Sequence, residues 1–314
     1  MARQRRLTGI QPVDCRMAAH FPSLRRGVPA HYAYMFVEDL ANGIVPVGGE
    51  SFSGKDYSAK IEGSVSHVGI AVKALESVAG AREHGDTRLV SAAVWAIAKR
   101  LASQGAAFFE IVKDPDDAGT FVLYGFPPIR VFRFLKWNLQ LIPWADAAIF
   151  ERHYGVIREA DVWRVKIPRV LGRPASYRGM LRRLDRFPPV APRFFYRDME
   201  RGKPPEMVDP QRLHQLQAAY VSRETKRWGW PRRDTSDDLS TEYFVAYRHV
   251  TLYWAQATLR EHIVAELNLL FQRQGLDATV SISGLPSAQG ILAYRDSMER
   301  GELDMSEALR QSQI

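Results

Sequence analysis

The stretch STEYFVAYRHVTLYWAQATLREHIVAELNLLF, residues 240–271, constrains this chain more than any other. Apolar or aromatic residues recur at Tyr243, Tyr247, Val250, Trp254, Ala257, Val264 and Phe271, and a second row adds Ala246, Tyr253, Ile263, Leu267 and Leu270. Steps of three and four predict one helix with a single wide buried stripe. No Gly or Pro interrupts it, Asp238 or Ser240 can cap its start, and Gly275 lies just past its end. At 1.5 Å per residue the helix would be about 45 Å long, which suits a spine or a ring-lining element.

The rest of the chain alternates helix and strand signals. Residues 1–30 read as an arm punctuated by Pro12, Pro22 and Pro29. Helices are expected at 32–40, 65–79 and 87–104, the last ended by Gly105. Strands are expected at 106–113, 120–124, 129–134 and 161–167, with DPDDAG turning the first hairpin. Residues 174–187 predict a helix with Tyr177, Met180, Leu181 and Leu184 on one face and Arg178, Arg182, Arg183 and Arg186 on the other. A helix at 210–227 follows, with Asp209 suited to its cap and Pro210 to its first turn. A strand at 278–283, a helix at 287–300 and a short helix opening at Asp304–Glu307 complete the reading. The class is α+β, mainly α.

The 314 residues carry a formal charge of +8, mostly arginine, gathered at Arg3, Arg5, Arg6, Arg25, Arg26, within 169–193, and at Lys226, Arg227, Arg232 and Arg233. Such an excess fits contact with a polyanion such as DNA, or a solvated basic surface. Basic and aromatic residues interleave at RFFYR (193–197) and KRWGWPRR (226–233). The second can be a loop held in the core by Trp228 and Trp230 that presents Arg232 and Arg233 outward. The lone Cys15 excludes an internal disulfide and a Cys-based zinc site, and a reducing compartment fits it. No apolar run approaches the ~20 residues of a membrane span. The basic N-terminus, MARQRRLTG, lacks a following apolar region, so no secretory signal is expected.

Signals for chemistry are sparse. The eight histidines hold no i, i+4 metal pair and no HExxH, and neither GxSxG nor GxGxxG occurs. Asp114, Asp116 and Asp117 fit a hairpin turn, and Asp237 and Asp238 a helix start. Gly49–Lys55 has Walker A spacing, but Asp56 stands where Ser or Thr would hold magnesium. No enzyme, cofactor or metal is expected.

Three patches, in order, resemble the portal (head–tail connector) proteins of tailed bacteriophages. In the first, a helix ends at Gly105 and leads into GAAFFEIVKDPDDAGTFVLYGFPPIRV, where Gly105, Phe109, Glu110, Pro127, Pro128 and Val131 hold the matching places; DVWRVKI (161–167) resembles the next portal strand. In the second, Trp228–Pro231 (WGWP) runs into STEYF, then Thr258, Leu259 and Arg260, then Glu266, Leu267 and Asn268. The third joins Gly284 and Leu285 through Gly301–Leu303 to SEALR at 306–310. The chain is short and basic for this family, and Arg260 and Glu261 lie where portals often carry a proline.

The resemblance implies an elongated subunit with an arm (1–30), a wing-like α+β region (31–173), stem helices with a clip (174–227), a channel loop and long inner helix (228–275), and a C-terminal strand and helices (276–314). It implies a homo-oligomeric ring, typically of twelve, at a capsid vertex of the virion, assembled in the host cytoplasm. Double-stranded DNA would pass through its centre, and the terminase motor, the major capsid protein and a head–tail adaptor would be its partners, with no membrane involved. Arg232 and Arg233 would be the DNA-channel contacts, and Arg178, Arg182, Arg183 and Arg186 a basic stem face. The residues also leave open a monomeric or dimeric DNA-binding accessory protein, and a nucleotide-binding enzyme using the 49–55 loop.

Overall fold

The computed structural model describes residues 32–46, 57–80, 85–114, 119–126, 131–141, 154–186, 210–232 and 241–303. Among the described residues the protein is mixed α+β and mainly helical, 60% helix and 22% strand. The Walker-like loop at 49–55, the proposed clip between the stem helices and the last helix at 304–307 lie outside the described residues. The described chain divides into two compact units, each assembled from separate stretches. One takes its described residues from within 41–174 and 258–285, the other from within 32–40, 175–257 and 286–303.

The first unit is built on β2 (Ala106–Lys113), which has β3 (Phe121–Phe126) on one side and β7 (Val162–Lys166) on the other, both antiparallel. Phe109 of β2 stacks 5.1 Å from Trp163 of β7, and both are buried. Helices α2 (Val65–Ala79) and α3 (Asp86–Gln104) belong to the same unit, and the Ser77 hydroxyl accepts from the Leu123 N–H of β3 at 2.8 Å. Gly105 ends α3 in the left-handed conformation and passes the chain straight into β2.

Two further sheets were not fully legible. Strand β1 (Ser58–Gly63) pairs antiparallel with β8 (Ala278–Ser283), Ile61 opposite Val280. The first turn of α3 covers its other edge, because Asp86 Oδ2 accepts from Ile61 N–H and Thr87 Oγ1 from Ala59 N–H, both at 3.2 Å. SAKIEG carries too little apolar alternation to read as a strand alone, and its partner lies more than 200 residues away. The third sheet runs β4 (Val131–Phe134), β5 (Trp137–Leu141), β6 (Tyr154–Arg158), all antiparallel. Its first hairpin turns at Leu135 with φ +52°, a position where Gly or Asn would have signalled the turn.

A charged cluster ties β5 to β7. Glu159 accepts from both terminal guanidinium nitrogens of Arg164 and from the Asn138 amide at 2.8 Å, and Arg164 also donates to the Asn138 side-chain oxygen. Hydrogen bonding from Arg164 holds the Glu159 carboxyl down at about 2, with Asn138 and Arg133 adding to it against a partial loss of hydration.

The long helix, α6 (Glu242–Arg273), contributes residues 242–257 to the second unit and 258–273 to the first. The single stripe expected of it holds only in the last turns, where Ile263, Leu267, Leu270 and Phe271 are buried. Upstream, Val250, Thr251, Leu252, Trp254, Ala255, Gln256, Ala257, Leu259 and Arg260 are all buried, which no single face can accommodate. In the first unit Arg260 donates to the Ile44 carbonyl at 3.3 Å, His262 Nε2–H to the Lys166 carbonyl at 2.8 Å, and the Asn268 amide pairs with both backbone groups of Val280. In the second unit Gln256 donates to the carbonyl of Asp39 in α1 (Tyr32–Asn42). There the α6 start also meets α7 (Ala288–Glu299) through Tyr243 to the Met298 carbonyl and Arg295 over Trp254 at 4.9 Å.

The depressed Glu159 carboxyl contributes stability that is fully present above its unfolded value near 4.5 and is lost as pH falls through about 2. Allowing for its partial exposure, Glu159→Gln should remove about 1–2 kcal/mol of that acid-sensitive stability, read as a flatter dependence of the urea midpoint on pH between 4.5 and 2.

Candidate nucleic-acid interface

The basic helix α4 (Pro174–Arg186) folds as its spacing predicts, with Tyr177, Met180, Leu181 and Leu184 buried. The four arginines opposite them do not act alike. Arg183 Nε bonds Glu224 Oε2 at 2.6 Å, and the Arg183 carbonyl accepts from the Tyr220 hydroxyl at 3.4 Å. Arg183 therefore ties α4 to the end of α5 (Pro210–Glu224). Arg178 and Arg182 share one face at i, i+4; burial, and then the charge of Arg182, lower the guanidinium value of Arg178. Arg182 is exposed, and the side chain of Arg186 lies outside the described residues. Past the same tie, Arg223, Lys226 and Arg227 are exposed as well. The ends of α4 and α5 thus present cations around one structural ion pair.

The chain then turns through Lys226–Trp228 and Gly229 into Trp230. Trp228 and Trp230 are both buried. Phe36 of α1 lies 5.9 Å from Trp228 and 5.6 Å from Trp230, Tyr177 of α4 4.9 Å from Trp228, and Tyr32 6.3 Å from Trp230. Trp230 Nε1–H donates to Asp39 Oδ2 at 2.8 Å, which satisfies the one polar atom this ring brings into the core. Gly229 has φ +66°, and a Cβ there would lie 2.4 Å from the Thr251 Cβ and 2.5 Å from the Arg248 carbonyl oxygen. Only glycine lets the turn approach the α6 backbone this closely.

Arg248 of α6 completes the arrangement. Its guanidinium donates to the Ser222 carbonyl at 3.2 Å, the Thr225 hydroxyl at 2.7 Å and the Trp230 carbonyl at 2.6 Å. Thr225 in turn donates to the Val221 carbonyl at 2.7 Å. A cation thus sits at the C-terminal end of α5, where unpaired carbonyls carry partial negative charge. Burial lowers the Arg248 value to about 10, so the group stays charged at neutral pH.

The turn holds its tryptophans in the core, but it does not present Arg232 outward. Arg232 is 5% exposed and follows the turn at φ +70°, so its guanidinium is withheld from solvent where a channel contact would need it offered. Arg233 lies outside the described residues. Of the cations exposed beside the Arg183–Glu224 tie, Arg182, Lys226 and Arg227 were legible as charge and Arg223 was not singled out; none was legible as a neighbour of the others, because the tie spans 41 residues. His249 is half-buried beside Tyr253, and burial lowers its value. Among the described residues no three His, Cys, Asp or Glu side chains converge as a metal site, and no helix is long and apolar enough to cross a membrane. No known protein-family model and no curated protein matches the chain.

Gly229→Ala should cost about 2–4 kcal/mol, from the left-handed backbone and from overpacking against Thr251 and Arg248. Chemical denaturation followed by tryptophan fluorescence would register it, since Trp228 and Trp230 flank the site.

Proposed function

We propose that this chain is a subunit of a portal-like ring, of the kind tailed bacteriophages place at a capsid vertex for packaging and ejecting double-stranded DNA. The observation that carries the reading is the Trp228–Gly229–Trp230 turn seated on a 32-residue helix, downstream of the antiparallel β2, β3 and β7 set. That is the order on which the portal resemblance rests. The subunit hydrolyses nothing in this reading and needs no cofactor; the terminase motor supplies the work, and the major capsid protein and head–tail adaptor are its other partners.

The cations around the Arg183–Glu224 tie suit a passing duplex, because flexible Lys and Arg side chains contact phosphate without reading sequence. The DNA contact is accordingly assigned to Arg182 and Arg227, both exposed, and not to Arg232. The charge of +8 favours a second reading, a monomeric or dimeric DNA-binding accessory protein using the same arginines.

Negative-stain microscopy of the purified full chain should show closed rings of identical subunits; a compact monomer at every concentration sinks the portal reading. In a salt titration of duplex binding, Arg182→Ala with Arg227→Ala should weaken affinity equally for unrelated sequences. It should also reduce the log–log salt slope by about 2, one unit for each phosphate that is no longer neutralised. An unchanged slope would place the DNA-binding surface elsewhere.

A further inference from the structure

We infer that the outer face of the β4–β5–β6 sheet is a stacking platform for single-stranded DNA, a site other than the helix ends to which the duplex is assigned. The inference does not depend on the ring reading.

The sheet turns its rings outward. The registers set Phe134, Trp137 and Arg158 in one cross-strand row, with Phe132 two residues away on β4 and Tyr154 of β6 opposite Leu141, so these side chains share one face. Phe132 is 56%, Phe134 71%, Trp137 44% and Tyr154 60% exposed. Asn138 and Gln140 belong to the opposite face and are buried. An antiparallel sheet with one wet side ordinarily does the reverse. The buried face is pinned by the bonds of Asn138 to Glu159 and Arg164, and the Glu159 N–H donates to the Lys136 carbonyl at 2.8 Å. The rings are therefore carried on a backbone already fixed before a ligand arrives, which lowers the ordering cost of binding.

The chemistry of the face selects the occupant. Stacking on an exposed ring requires a free base face; a duplex hides its base faces between neighbours, whereas an unpaired strand offers them. Side chains two apart on a strand stand about 6.8 Å apart, twice the ~3.4 Å between stacked bases of one DNA strand, so Phe132 and Phe134 each suit a base drawn out of its own stack. Cations for the phosphates accompany the rings. Arg158 lies 5.6 Å over Trp137 on the same face, and Lys136 is exposed at the hairpin tip. No Asp or Glu occurs in β4, β5 or β6, and Glu159, which follows β6, is engaged by Arg164. The amides that could read a base edge or a ribose 2′-hydroxyl, Asn138 and Gln140, are on the buried side. Stacking here is therefore indifferent to sequence, and an apolar face with no amide for a 2′-hydroxyl favours DNA over RNA.

The test is fluorescence anisotropy of the full chain with labelled oligo-dT, oligo-dA, oligo-U and a duplex. Oligo-dT and oligo-dA should both bind, and oligo-U more weakly. Phe134→Ala and Tyr154→Ala should each weaken oligo-dT binding at least about fivefold, with the duplex affinity and the thermal transition unchanged, and Phe134→Trp should retain it. Lys136→Ala with Arg158→Ala should flatten the log–log salt slope for oligo-dT by about 1.4. Oligo-dT binding untouched by both ring variants overturns the platform, as does duplex binding that falls equally with it. Oligo-U bound as tightly as oligo-dT assigns the face to RNA and overturns the inference. So do anionic vesicles, or a second copy of the chain, lost on Phe134→Ala where oligo-dT does not bind.

Discussion

The guanidinium of Arg248 is the interaction on which the second unit turns. The last carbonyls of a helix have no partner within it, and one side of the end of α5, at Val221 and Thr225, is buried. Arg248 reaches from α6 and answers Ser222, Thr225 and Trp230 with two nitrogens. One side chain thereby connects the end of α5, the aromatic turn and the long helix. Its charge is tolerated because the helix end is itself partly negative, so burial lowers the value without neutralising the group. Lysine would supply one point of charge where three acceptors are spread in a fan, so the fork geometry matters as much as the charge.

The turn that Arg248 holds explains the placement of the neighbouring cations. Trp228 and Trp230 are drawn into the ring cluster of Phe36, Tyr177 and Tyr32, and Gly229 rests against α6. The chain leaving this cluster carries Arg232 inward with it. Exposure is left to the residues that enter the cluster, Arg223, Lys226 and Arg227, and to Arg182 across the Arg183–Glu224 tie. Whether an arginine in such a segment meets a ligand or a carbonyl is decided by the turn's anchoring.

In the first unit polarity is divided between two kinds of sheet. The β3–β2–β7 sheet has an apolar core and buries Phe109, Phe121 and Trp163. The β4–β5–β6 sheet instead turns Asn138 inward, where Glu159 and Arg164 satisfy it, and leaves its aromatics outside. Within the sheet Ile157 is the apolar side chain that is fully buried, so its stability leans on the charged cluster.

Local chemistry alone determined the helices. Val65–Ala79 was legible from its period, α3 from its end at Gly105, α4 from the spacing of Tyr177, Met180, Leu181 and Leu184, and α6 from its unbroken length up to Gly275. Strands with a dense apolar run and a nearby partner, β2 and β3, were legible for the same reason. Tertiary structure decided the rest. Strand β1 exists because β8 arrives from the far end of the chain, and β5 and β6 follow a turn that no Gly or Asn announces. The arc of α6 that is buried, and whether Arg183, Arg232 and Arg248 serve the fold or face solvent, depend on groups far away in sequence. Period and capping act within a few residues, whereas the burial of a charge is set by the partners that folding brings to it.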